Sequence, residues 1–237
     1  MESLAQKTAL ITGGTKGIGY GIAEALLKEG VKVGITGRDE AAGNKALTSL
    51  MKITGAKVIF IKCDVRDEKE QQAAVAKVIS EWGRLDVLVA NAGVGHFASI
   101  DELSVEKWKE TIDINLTGVF LSIKASLDAL KKSKGYIITI SSLAGTNFFA
   151  TASAYNASKF GLTGFTQAVM LDVRKYGIKV TTIMPGSVAT EFNNHTPGPE
   201  DGWKIQIEDL GQITVDLLKM NPRTLPSKIE VRPSMPK

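Results

Sequence analysis

The sequence holds a single cysteine, Cys63, which excludes an internal disulfide and a cysteine-rich metal site. Two histidines, His96 and His195, are too few for an ordinary zinc centre, so no metal is expected. No apolar run is long enough to span a bilayer, and Met1 to Lys7 carry no apolar signal core. The expectation is a cytoplasmic protein with no membrane partner. Charge of one sign is also scarce. The net charge is +4 over 237 residues and the lysines are scattered, which gives no nucleic-acid footprint. The densest basic cluster, Lys131-Lys132-Ser133-Lys134, stands just before Gly135, where cations suit the end of a helix.

What the chain does have is an alternation of short β-branched runs with longer amphipathic stretches. Strands are expected at 8–12, 31–36, 57–62, 86–90, 136–140 and 179–184, with a short final one in 225–233. Helices are expected at 16–28, 39–52, 68–82, 105–131 and from about 154 to 175. The fold class is therefore α/β: a single Rossmann-type, doubly wound domain over 1–237, with a seven-stranded, mainly parallel sheet flanked by helices on both faces. The 105–131 stretch is apolar on more than one face, through Trp108, Ile112, Leu116 and Phe120. Such a helix needs burial on several sides, so a homotetramer or homodimer through 105–131 and 154–175 is expected. An Asn-, Pro- and Gly-rich stretch, 192–202, lies within a loop of about 187–208.

Between the first strand and first helix stands Thr12-Gly13-Gly14-Thr15-Lys16-Gly17-Ile18-Gly19. Glycines let backbone turn tightly against a pyrophosphate, and a helix N-terminus supplies free amides and partial positive charge. The spacing is G-x-x-x-G-x-G, not the G-x-G-x-x-G dinucleotide fingerprint. At the end of the second strand, where an acid would hold the ribose 2′-hydroxyl of NAD, the residues are Gly37 and Arg38. Arg38, with Lys16 in the glycine loop, suits the 2′-phosphate of NADP(H). The alternative is a surface arginine neutralised by its neighbour Asp39.

Tyr155 and Lys159 are four residues apart, which on a helix puts both on one face. An ammonium about 4 Å from a phenol favours phenolate, so the Tyr155 pKa should fall from about 10 toward neutrality. Such a group exchanges a proton with an alcohol or carbonyl oxygen. An ordinary exposed helix face is the alternative.

These motifs together, spanning residues 7–190, resemble the short-chain dehydrogenase/reductase family. The family's TGxxxGxG motif matches Thr12 to Gly19, its adenine-contacting aspartate matches Asp64, next to Val65, and its NAG motif matches Asn91-Ala92-Gly93. Its catalytic set falls on Asn115, Ser142, Tyr155 and Lys159. Its PG segment falls on Pro185 to Thr190, including Gly186, Val188 and Thr190. The resemblance implies that Tyr155 exchanges the proton and Ser142 polarises the substrate oxygen. It also implies that Lys159 tunes Tyr155 and binds the nicotinamide ribose, that Asn115 orients a water, and that 185–190 position the nicotinamide. Cys63 reads as small core filler.

Substrate walls are implied at 94–97, 143–154 and 191–203, with Leu143, Phe148, Phe149 and Trp203 apolar. His96, Asn147 and Ser153 are candidates to orient a polar group, and Gly186 and Ser142 to flank the substrate. His96 reads as a wall residue rather than a second acid. The expected activity is NADPH-dependent reduction of a small-molecule ketone or aldehyde. The alternatives are reduction of a 3-oxoacyl thioester on an acyl carrier, and a non-catalytic NADP(H) sensor.

Overall fold

The computed structural model describes residues 3–235; Met1, Glu2, Pro236 and Lys237, part of the expected 1–237 domain, lie outside the described residues. Seven strands form one sheet: β1 (Thr8–Ile11), β2 (Lys32–Gly37), β3 (Val58–Lys62), β4 (Val87–Ala90), β5 (Tyr136–Ile140), β6 (Lys179–Pro185) and β7 (Lys228–Val231). Their order is β3-β2-β1-β4-β5-β6-β7 and every pairing is parallel. Strands β1, β4 and β5 are buried at every residue, as their near-continuous apolar runs require of strands covered on both faces. Side chains alternate across the sheet. Ala9 and Ile11 of β1 pack into one core with Ile22, Leu26 and Leu210, while Leu10 packs into the other with Val78, Val119 and Leu162.

The chain leaves β1 to pair with β2 on one side and resumes on the other with β4. Crevices at such a switch point, beyond the carboxyl ends of the strands, are where open α/β sheets bind ligands. The expected helices appear as α1 (Gly17–Lys28), α2 (Glu40–Leu50) and α3 (Glu68–Trp82). Asp67 caps α3 and the left-handed Gly83 ends it.

The 105–131 helix is not continuous. It divides into α4 (Val105–Ile112), a π-helical turn (Asp113–Thr117) and α5 (Gly118–Ser133). The turn turns Asn115 inward, where its side chain bonds Val94 and Ser158. Such single π turns inside α-helices occur often at functional sites. Lys131 and Lys132 do lie in the last turn of α5, and Lys134 closes it in left-handed conformation. The next helix, α6 (Ser153–Val173), carries Tyr155 and Lys159.

A further helix, α7 (Ile207–Lys219), was not expected from the sequence. It lies against α1 at a glycine contact: a Cβ on Gly21 would stand 2.6 Å from the Ile207 carbonyl oxygen, and one on Gly211 2.8 Å from Ala25 Cβ. Its apolar positions Ile207, Leu210, Thr214 and Leu217 recur at helical spacing, and Gln206 and Asp209 form a reciprocal cap. That period was the available signal. The loop before α7 holds two short 3₁₀ turns, Phe192–Asn194 and Pro199–Trp203. No helix among the described residues is long and apolar enough to cross a membrane.

Candidate active site

The glycine loop and the turn after β4 are bonded to each other. The Thr12 hydroxyl accepts from the backbone N–H groups of Asn91 (3.0 Å) and Ala92 (3.1 Å). The Asn91 side-chain amide donates to the carbonyls of Thr12 (2.9 Å) and Gly13 (3.0 Å). Gly13 and Gly17 have φ of +64° and +56°, a left-handed conformation that disfavours any side chain. A Cβ at Gly19 would stand 2.5 Å from Asn91 Nδ2. The loop therefore needs glycine at the spacing seen, and its backbone leads into the N-terminus of α1. A cavity of about 570 Å³ opens beside it, walled in part by Thr15, Lys16, Gly17, Tyr20 and Gln206.

Arg38 follows the end of β2, and Asp39, its neutralising neighbour in the alternative reading, is engaged elsewhere. Asp39 caps α2 by accepting from the Ala42 N–H (2.9 Å). Glu110 of α4 approaches Arg38 instead, with Oε1 4.0 Å from Nη1. Asp64 is engaged by Arg66, whose Nε lies 3.0 Å from Oδ1 and whose guanidinium holds the Asp64 carboxyl below the usual carboxylate range. Val65 is buried beside Gly118. Cys63 is a buried thiol pushed up to about 12 by burial first and by Glu70 next, which suits packing rather than reaction.

The catalytic candidates converge at the carboxyl ends of β4, β5 and β6. Tyr155 and Lys159 share one face of α6 and both are buried, with Lys159 Nζ 5.7 Å from the Tyr155 ring centre. The electrostatics differ from expectation. Lys159 Nζ donates to the Ile140 carbonyl (3.0 Å), and burial drives the ammonium down to about 8. Burial also raises the Tyr155 phenol above its ordinary value, while hydrogen bonding with Ser142 opposes that rise. Burial of the phenol thus outweighs the nearby lysine charge, which is expected from the sequence to lower it. At neutral pH this phenol is an acid.

Ser142 stands two residues after β5 and caps the turn Leu143–Gly145, accepting from the Ala144 N–H (3.1 Å). Asn115 lies across Gly93: its Oδ1 accepts from the Val94 N–H (2.8 Å), and its Nδ2 donates to the Val94 carbonyl (2.9 Å) and Ser158 Oγ (3.0 Å). Both amide hydrogens are committed, so the side chain holds 93–94 against α6, and a water at Asn115 would be met through an oxygen acceptor. On the opposite wall Pro185 ends β6, Gly186 stands near Leu143, Val188 bridges to Ile205, and Thr190 lies near Gly17.

The substrate candidates separate. The Tyr155 ring lies 5.3 Å from Phe97 and 5.7 Å from Phe192, and Phe97 lies 6.0 Å from Phe149, centre to centre. Phe97 and Phe192 thus form a wall, and both lie in the segments, 94–97 and 191–203, from which the sequence implies one. Gly95 admits it, since a Cβ there would stand 2.5 Å from Phe192 Cζ. His96 turns away and bonds Glu110 (2.9 Å). Ser153 is exposed at the start of α6, and Asn147 donates to the Leu143 carbonyl (3.2 Å).

The sheet order, the glycine loop and the Ser, Tyr and Lys constellation define a nucleotide-dependent oxidoreductase architecture. The family model described as short chain dehydrogenase matches residues 7–200, and the chain belongs to that family. Trans-4-hydroxycyclohexanecarboxylate dehydrogenase of Sinomonas cyclohexanicum is 38% identical over 195 residues, covering 80% of this chain and 75% of that protein. An alcohol dehydrogenase from the archaeon Thermococcus sibiricus, solved with 5-hydroxy-NADP, matches with a TM-score of 0.91 at 28% identity, over 98% of this chain and 99% of that one. A metagenomic short-chain oxidoreductase solved with NADP matches at 0.86 and 30% identity, over 99% and 100%.

Proposed function

We propose that this oxidoreductase uses NADPH to reduce a neutral, largely apolar ketone or aldehyde, with Tyr155 donating the proton. The observation that carries this reading is the buried Tyr155 phenol, bordered by Ser142 and by aromatic rings. Gly13, Thr15, Gly17, Ile18, Gly19, Asn91, Ala92 and Gly93 would border the dinucleotide, with Gly37, Asp64 and Val65 at its adenosine end. Lys16 and Arg38 would hold the 2′-phosphate, a group that arginine binds in bidentate fashion. Two solved relatives, named above, carry NADP or its 5-hydroxy derivative.

Bound NADPH supplies the hydride. In this reading Ser142 donates a hydrogen bond to the carbonyl oxygen and stabilises the charge that develops there. Tyr155 then gives that oxygen its proton, a transfer that contributes typically 10² to 10⁴-fold. Lys159, one helical turn away, favours the phenolate that forms and returns the site to its acid form. Asn115 acts by position, fixing the segment after Gly93 against Ser158 of α6. Pro185, Gly186, Val188 and Thr190 form the far wall.

The substrate reading rests on the walls. The two basic residues of the 187–206 loop, His195 and Lys204, both engage the buried Asp201, Lys204 at 2.6 Å. A carboxylate such as that of the acid named for the Sinomonas relative would find neither of them free. Phe97, Phe149 and Phe192 favour flat apolar groups through contact area. NADPH oxidation across neutral ketones, aldehydes, their carboxylated analogues and 3-oxoacyl thioesters tests this. Neutral cyclic or aryl carbonyls should turn over fastest; a preference for thioesters would favour an acyl-carrier reductase, and no turnover of any would favour a sensor.

We also propose that copies of the chain associate through α4, α5 and α6. Trp108, Phe120, Phe160 and Leu171 of these helices are exposed in the single chain, and a tetramer or dimer would cover them.

A further inference from the structure

At the adenosine end of the cleft, a carboxylate stands beside the arginine expected to take the cofactor's phosphate. Glu110 reaches there from α4, with one oxygen 4.0 Å from Arg38 Nη1 and the other 2.9 Å from His96 Nε2. We infer that Glu110 sets how strongly this site prefers a phosphorylated over an unphosphorylated nicotinamide cofactor, and that His96 limits its influence. This inference rests on the assignment of the 2′-phosphate to Arg38.

The argument is one of charge at close range. A dianionic phosphate that engages Arg38 must approach Glu110, so the same carboxylate that orients the free arginine repels the incoming ligand. A cofactor with a bare 2′-hydroxyl carries no charge there and is indifferent to it. The other groups nearby are already in pairs or further away. Asp39 caps α2, and Arg66 clamps Asp64. At longer range Glu110 and Asp113 also act on Arg66, and Arg38 acts on Asp64. Glu110 is thus the acid in contact with Arg38, and its second oxygen is held by His96. Removing that hydrogen bond would free the carboxylate to turn wholly onto Arg38. Both Arg38 and Glu110 are partly exposed, so the effect is modest and screened by salt over roughly 10 Å at 0.1 M.

Dissociation constants for NADPH and NADH, read by nucleotide fluorescence at low and high salt, test the assignment. Glu110→Gln should tighten NADPH three- to tenfold at low salt while changing NADH less than twofold, and the gain should shrink in high salt. His96→Ala should weaken NADPH at least twofold, and should do so no longer in a Glu110→Gln background. An unchanged or weakened NADPH affinity in Glu110→Gln, or equal shifts for both cofactors, overturns the assignment. Arg38→Ala in the same assay separates the two levels. If that variant loses NADPH selectively while Glu110→Gln does nothing, only the role of Glu110 fails. If it loses both cofactors equally, the 2′-phosphate assignment itself fails.

Discussion

The two ends of the cleft are built by opposite physics. At the catalytic end Tyr155, Asn115, Ser158 and Lys159 are buried, and each polar atom is fixed by a short hydrogen bond or by desolvation. At the adenosine end Arg38, Glu110, Asp64 and Arg66 are partly exposed and meet as ion pairs. Burial changes the chemistry of a group: it keeps the Tyr155 phenol protonated and pulls Lys159 down to about 8. Where groups are exposed, the pairing of charges dominates instead, and salt weakens it. Substitutions at one end should therefore move rate and proton affinity. Those at the other should move cofactor affinity and its salt dependence.

The largest effect is expected at Tyr155. Tyr155→Phe removes the proton donor but keeps the ring contacts with Phe97 and Phe192, so turnover should fall roughly 10² to 10⁴-fold with NADPH affinity within about twofold. Weakened cofactor binding with a near-normal rate would reverse the roles of the two ends.

Lys159→Met comes next, read as stability against pH. The Lys159 ammonium is held at about 8 in the folded chain and stands near 10.5 when unfolded. Below pH 8 both states carry the proton, and the folded state bears the full penalty of a buried charge. Between these values the unfolded chain binds more protons, so the protein gains stability as pH rises, on the order of 3 kcal/mol in all. Relative to Lys159→Met, the chain should be less stable at pH 7 and should recover toward pH 10 in urea titrations. A constant difference across that range would mean that the lysine is well solvated.

Smaller still is the exposed end. Arg38→Ala should weaken NADPH roughly ten- to hundredfold, the worth of charged hydrogen bonds, with little change for NADH and with a smaller loss at high salt. Equal losses for both cofactors would contradict a 2′-phosphate contact.

The sequence made the buried end legible and left the exposed end partly hidden. The strand runs, the glycines at 13, 17 and 19 and the Tyr155–Lys159 spacing are local patterns, and each stands where that pattern requires. The electrostatics of the pair differ from the expectation, because a four-residue offset shows the shared face but neither the burial that raises the phenol nor the acceptor of the ammonium. The Ile140 carbonyl that receives the ammonium of this α6 residue comes from β5. Glu110 has no signal in the sequence for the same reason, since its importance lies in contacts across the fold with Arg38 and His96, whereas Phe97 and Phe192 stand in segments expected to wall the substrate. The π turn at Asn115 interrupts a helix whose sequence reads as unbroken. Tertiary bonds to Val94 and Ser158 outweigh local periodicity there. The α7 helix, in contrast, had its period and cap in plain view at 206–219.

The claim that Tyr155 works as a buried acid is tested most directly by the pH dependence of single-turnover NADPH oxidation with a neutral ketone at saturating cofactor. The rate should be level through neutral pH and fall above about 8, as Lys159 loses the charge that favours phenolate formation in the reaction. A rate that climbs steadily from pH 6 to 9 would contradict it, because the ionised phenol would then be the active form.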